Sequence, residues 1–290
     1  MTRRRLRVVG LTPLITLLVA VSGCGAGGFG NADPVAPDTS VHSYVALGDG
    51  FAAAPYAGPT ADAGCVRSRD NYPAQVAKAL KITAFTDVTC TGVGSKALTE
   101  RSTAPSTRRP QRAQFDAVTA KTELITVGIG IEDGTLLSDA FRICMALPCG
   151  PGVVPAKTVL DQLAELDSTL TADIRTLQDR APKAYIVVVG YPQIVPATGR
   201  CAKLPRMTDA QLSGAYQVLG ALNDHLRSAA RQTGSAFVDV AAISGDHTAC
   251  SAEPWVNGVV GKKAKAFSFH PLAVEQRAVA AAIADQVRLR

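Results

Sequence analysis

The chain has 290 residues, 30 of them basic and 24 acidic, for a formal charge of +6. Arg3, Arg4, Arg5 and Arg7 supply four of those charges; without them 26 basic and 24 acidic residues leave +2, with no basic stripe carrying interleaved aromatics, which excludes nucleic acid as the expected partner. The chain has no CxxC pair and only four scattered histidines, so no metal site is expected, and nothing in the sequence implies a cofactor.

In chain order, the four arginines form a positive leader and Val8 to Val21 an apolar stretch, too short and wrongly flanked for a membrane span. The stretch ends in Val21-Ser22-Gly23-Cys24, which resembles a bacterial lipobox: the signal, residues 1–23, is cut before Cys24, whose thiol then carries a diacylglycerol. The expected location is therefore outside the cytoplasm, held to the cell membrane by lipid. Residues 24–41, rich in Gly, Pro, Ala and Asp and without apolar periodicity, read as a flexible tether. Residues 42–290 then read as one domain, with neither an internal repeat nor a second linker.

Within that domain Tyr44–Leu47 is expected to be a short buried strand, Tyr72–Leu80 a helix, and Phe85–Thr89 and Leu124–Ile129 strands. Leu160, Leu163, Leu166, Leu170, Ile174 and Leu177 recur at helical spacing within Val159–Leu177. Tyr185–Val189 (YIVVV) is the plainest strand; Leu212–Ala230 reads as a helix, Ala236–Val240 as a strand and Pro271–Val287 as a closing helix. Strands alternating with helices of this length predict an α/β fold, a parallel sheet of about five strands with helices on both faces. Ligands of such sheets bind beyond the carboxyl ends of the strands.

With Cys24 set aside, six cysteines remain, an even set in an oxidising compartment, which reads as disulfides. Six allow fifteen pairings, and the sequence does not choose among them. The sequential set, Cys65–Cys90, Cys144–Cys149 and Cys201–Cys250, is adopted as the expectation.

The segments after the strands are Gly48-Asp49-Gly50, Cys90-Thr91-Gly92 and Gly130-Ile131-Glu132-Asp133, and Phe269-His270-Pro271 opens the last helix. Each alone suits an ordinary turn or boundary. Together their order and spacing resemble the sequence blocks of SGNH (GDSL-type) ester hydrolases: Tyr44 to Asp49 reads YVALGD against that family's YVALGDS, and Phe267 to Pro271 stands where Asp-x-x-His-Pro is usual. Asn71–Pro73 and the cysteines resemble the secreted, disulfide-bearing esterase and lipase branch. The resemblance implies a flavodoxin-like fold over the whole domain. In the family a serine attacks the ester carbonyl, a histidine carries its proton, and backbone N–H groups and an asparagine hold the oxyanion.

Carried over by position, Gly92 and His270 match, the nucleophile position is Gly50, the oxyanion asparagine is Glu132 and the histidine's acid partner is Phe267. Gly50 cannot form an acyl-enzyme. Loss of one oxyanion donor costs about 2.7–4 kcal/mol, and a carboxylate there repels the developing charge. A Glu132 carboxylate near His270 is also expected to raise the histidine pKa. The leading expectation is a catalytically impaired, lipid-anchored module that binds a small or acylated envelope ligand near Gly50, Gly92, Glu132 and His270. The alternative is an ester hydrolase in which Glu132 and His270 activate a water for direct attack. A deliberate replacement of serine by Gly50 would not also require Glu132. Asp133 is expected to hold the strand-end turn, Trp255 to anchor a loop, Lys262, Lys263 and Lys265 to lie in a solvated loop, and His42, His225 and His247 to hold no metal.

Overall fold

Five short runs form a single parallel sheet in the computed structural model, which describes residues 40–133, 156–259 and 265–290. They are β1 (Ser43–Gly48), β2 (Ala84–Asp87), β3 (Leu124–Gly128), β4 (Tyr185–Val189) and β5 (Ala236–Val238), in the spatial order β2-β1-β3-β4-β5. All four pairings are parallel, with Tyr44 opposite both Phe85 and Leu124. β1, β3 and β4 are buried almost throughout, which is why their sequences are continuous apolar runs.

The period-two alternation of the strands divides the core into two layers. Val45, Leu47, Ile125, Val127, Ile186 and Val188 face one layer, completed by Leu163, Leu166, Leu170, Ile174 and Leu177 of helix Ala156–Arg180 and by Leu219, Leu222 and Leu226 of helix Asp209–Thr233. Tyr44, Ala46, Leu124, Val187 and Val189 face the other, against helices Tyr72–Ala79 and Ala273–Arg288. Covering both faces removes the strands' apolar side chains from water, the dominant favourable term in folding.

Helix boundaries follow from local chemistry. Asn71 caps Tyr72–Ala79 through its side-chain oxygen, and Pro73 lies in that helix's first turn. Thr208 and Gln211 form a reciprocal capping box at the start of Asp209–Thr233, and Gly234 ends it at φ 66°. Two short helices escape the periodicity reading: Gly50–Ala53, directly after β1, and Val240–Ser244, which takes Val240 out of the strand expected over Ala236–Val240. Numbered in chain order, the α-helices among the described residues are α1 (Gly50–Ala53), α2 (Tyr72–Ala79), α3 (Ala156–Arg180), α4 (Asp209–Thr233), α5 (Val240–Ser244) and α6 (Ala273–Arg288).

Cys65–Cys90 and Cys201–Cys250 are disulfide-bonded. Cys144–Cys149, Cys24 with the leader, and Lys262 and Lys263 lie outside the described residues. Thr39–Arg290 forms a compact unit that contains the whole sheet and both core layers. No helix among the described residues is long and apolar enough to cross a membrane.

Candidate active site

β1 ends at Gly48, where the chain turns sharply into α1. A Cβ on Gly48 would lie 2.5 Å from the Ala52 Cβ and 2.6 Å from the Gly128 carbonyl oxygen, so only glycine permits this approach of turn and neighbouring strand. Asp49, fully buried, accepts from the Phe51 N–H at 2.9 Å and so caps α1. Its other carboxylate oxygen lies 2.6 Å from the Tyr191 hydroxyl, which in turn accepts from the Ile131 N–H at 3.1 Å. Burial pushes the Asp49 pKa up to about 8, against the pull of the Tyr191 bond.

His270 enters from the loop before α6. Asn257 clamps that loop: its N–H donates to the His270 carbonyl at 2.9 Å, its carbonyl accepts from Phe269 at 3.1 Å, and its side-chain amide donates to Ala266 at 2.8 Å. Phe269 is held at φ 61°, a backbone region costly for a non-glycine residue. The ring stacks on Phe51, with centroids 5.2 Å apart, and meets Phe267 edge-on at 5.7 Å. Nδ1 lies 3.0 Å from the Ser268 carbonyl; a carbonyl only accepts, so Nδ1 carries the proton and Nε2 the lone pair. Phe267, at the position expected for an acid partner, therefore packs against the ring, and a backbone carbonyl orients it.

Nε2 points at Gly50. A Cβ on residue 50 would lie 2.6 Å from Nε2 and 3.4 Å from the Thr91 methyl. Nε2 and the Thr91 hydroxyl are both buried without a hydrogen-bond partner. Glu132, about a quarter exposed, reaches to 4.0 Å from Nε2, the outer limit of an ion pair. The expected rise in the histidine pKa does not occur: burial lowers it, because charging the enclosed ring costs more than the hydrogen bond to the Ser268 carbonyl returns. Glu132 shifts upward, first through burial and then through Asp133. The two burial effects leave both groups readier to be neutral than charged.

Gly92 follows Thr91, whose methyl borders Gly50. It sits at φ 75°, in the left-handed region that favours glycine, on the segment stapled by Cys65–Cys90. Asp133 accepts from the backbone N–H and, at 2.6 Å, from the hydroxyl of Ser95, tying the β3 end to the segment after Gly92. Trp255 stacks on His247 with centroids 4.8 Å apart, and its carbonyl accepts from Leu272 at 2.7 Å, beside the clamp on His270. His225 pairs with Asp167. Lys265 is exposed. Among the described residues no three His, Cys, Asp or Glu side chains gather in a way that could hold a metal.

Sequence reasoning passed over Asp49 as an anchor, Tyr191 and Asn257. Tyr191 follows β4 by two residues, so the rule of reading the strand ends would have reached it. Gln276, in the first turn of α6, gave no signal; its amide accepts from the Tyr72 N–H at 2.6 Å and donates to the Phe51 carbonyl at 3.1 Å, locking α1 against α2 and α6. A cleft of about 1190 Å³ bordered by Thr198, Arg200, Met207 and Leu212 contains none of Gly50, Gly92, Glu132 and His270.

The β2-β1-β3-β4-β5 order defines a flavodoxin-like α/β protein whose candidate site lies at the carboxyl ends of the strands. Residues 46–274 match the model of the GDSL-like Lipase/Acylhydrolase family, and the chain belongs to that family. It is similar to Lipase 2 of Streptomyces coelicolor, 32% identical over 83% of this chain and 85% of the relative. A lipase of Streptomyces rimosus is 28% identical over 91% of this chain and 89% of its own. Among solved structures, phospholipase A1 from Streptomyces albidoflavus superposes with a TM-score of 0.69 at 25% identity, over 84% of this chain and 99% of that one.

Proposed function

We propose that the chain is an extracytoplasmic, lipid-anchored member of the GDSL-like family in which acyl-serine hydrolysis has been lost and a small or acylated envelope ligand is bound at the strand ends. One observation carries this reading: Nε2 of His270 faces Gly50, a residue with no hydroxyl to activate, and lies buried against it. The usual role of that nitrogen is to take a proton from a nucleophile. Glu132 supports the same reading, because it stands where the family has its oxyanion asparagine, 4.0 Å from Nε2 of His270, and offers no amide donor there. Gly92 and Glu132 reach solvent, and Tyr56 meets Phe267 edge-on at 4.9 Å beside His270, so apolar and polar contacts for a ligand both exist there. The disulfides support an oxidising compartment, as does a relative described as an extracellular lipase.

A second reading has its own support. His270, with Nδ1–H held by Ser268 and its pKa lowered, is neutral at pH 7 and could serve as a base toward water. Turnover of short-chain p-nitrophenyl esters decides between them. The native domain is expected to be silent, with activity appearing in Gly50→Ser/Glu132→Asn. Native turnover that disappears in His270→Ala would establish the water route and overturn the binding reading.

A further inference from the structure

A two-stranded ribbon, Ser102–Thr103 paired antiparallel with Pro110–Gln111, stands beside the candidate site. Four arginines lie on it or at its base: Arg101, Arg108, Arg109 and Arg112, all exposed. From Arg101 to Arg112 there is no acidic and no aromatic residue. None of the four makes an ion pair among the described residues, whereas Arg67, Arg200, Arg227 and Arg288 each pair with an aspartate. Asp116 borders the same cleft as Arg112 without approaching it to ion-pair distance. A domain whose net charge is only +2 outside the leader thus concentrates four unpaired positive charges in one segment.

The ribbon is fixed to the site. Ala104 is fully buried, the Ser106 N–H donates to the Gly64 carbonyl at 3.3 Å, and Pro105 would be 3.9 Å from a Cβ on Gly92. Next in the chain Cys65 is bonded to Cys90, and its carbonyl accepts from Thr91. Ribbon, disulfide and the Gly92 segment therefore form one connected piece. At its tip Arg108 is held at φ 57°, a conformation that costs free energy in a non-glycine residue.

We propose that this arginine ribbon is a docking surface for anionic phospholipid headgroups, which brings the mouth of the candidate site to the membrane. All four charges are exposed, Arg112 at the border of a cleft, and such a spread of exposed charge suits a planar array of phosphates better than one enclosed anion. With no aromatic among them, the arginines lack the stacking platforms by which single-stranded nucleic acid is held. Arginine is weakly hydrated and its fork fits phosphate oxygens, and each basic residue near an anionic bilayer strengthens binding about fivefold. The inference does not depend on lipidation of Cys24, since the domain alone carries the ribbon.

The test is co-sedimentation of the Thr39–Arg290 domain, which holds the whole sheet, both core layers and both described disulfides, with two kinds of vesicle. One is phosphatidylglycerol mixed with phosphatidylcholine, the other phosphatidylcholine alone. The expected result is binding to the anionic vesicles only, weakening with salt. Arg101→Gln/Arg108→Gln/Arg109→Gln/Arg112→Gln should bind at least about a hundredfold more weakly. A matched variant, Arg175→Gln/Arg206→Gln/Arg231→Gln/Arg277→Gln, removes the same charge from exposed arginines elsewhere and should bind as the native domain does. Equal loss in both variants, no loss in the first, or retention on heparin without vesicle binding would each overturn the proposal, the last in favour of a soluble polyanion.

Discussion

At residue 50 the decisive quantity is a distance. Any side chain there must begin with a Cβ 2.6 Å from Nε2 of His270, closer than such contacts are found. The ring has little freedom to retreat, because Phe51 stacks on it, Ser268 holds Nδ1 and Asn257 clamps the loop on both sides. Gly50→Ala should therefore cost about 1–3 kcal/mol, the usual penalty of overpacking. Gly50→Ser meets the same crowding but brings a hydroxyl that can donate to the unpartnered Nε2, which returns about 1 kcal/mol. The expected order in urea unfolding is native, then serine, then alanine. An alanine variant as stable as the native domain would mean that the ring is free to move, and the packing account would fail.

At the scale of elements, the strand-end turns are coupled by buried polar groups. Asp49 joins the β1–α1 turn through Tyr191, which follows β4, to Ile131 beyond β3, and Asp133 joins the β3 end to Ser95. Burial raises Asp49 from 3.8 to about 8 and Glu275, on α6, from 4.5 to about 8. Between those limits the folded state holds more protons than the unfolded chain, so stability falls as pH rises and the loss is complete above pH 8. His270 has the opposite sign, since its lowered pKa costs stability as pH falls below 6.5. Melting temperature should therefore decline from pH 7 to pH 9, where His270 is neutral in both states. Asp49→Asn keeps an acceptor for Phe51 and should flatten part of that decline; an unchanged slope would mean that Asp49 folds already ionised. Such couplings are not legible in sequence. The core strands were, because burial on both faces demands unbroken apolar runs such as Tyr185–Val189, and so was the approach of His270 to Gly50 and Glu132. Helices of four or five residues, such as α1 and α5, are shorter than the period that would announce them. Tyr191 and Gln276 act through partners 142 and 204 residues away in sequence.

For the molecule as a whole, the two membrane devices proposed above have separable roles. A diacylglycerol on Cys24, as proposed, would supply two chains and hold the protein firmly, but would not by itself orient the domain. On that proposal the ribbon would add little to retention once lipid is present; what it would add is direction, since the ribbon that carries Arg101, Arg108, Arg109 and Arg112 meets the Gly92 segment through Pro105. Replacing residues 1–24 by a secretory signal with a cleavable small-residue site should therefore move the protein from the membrane pellet to the supernatant at physiological salt. At low salt part of it should stay on the pellet through the ribbon, because Debye screening then reaches about 30 Å instead of 8 Å. Adding the four Arg→Gln changes to that lipid-free form should release it at both salt concentrations, while the same changes in the lipidated chain should release none. A lipid-free form that stays on the pellet at physiological salt would assign retention to the domain and remove the need for lipid on Cys24.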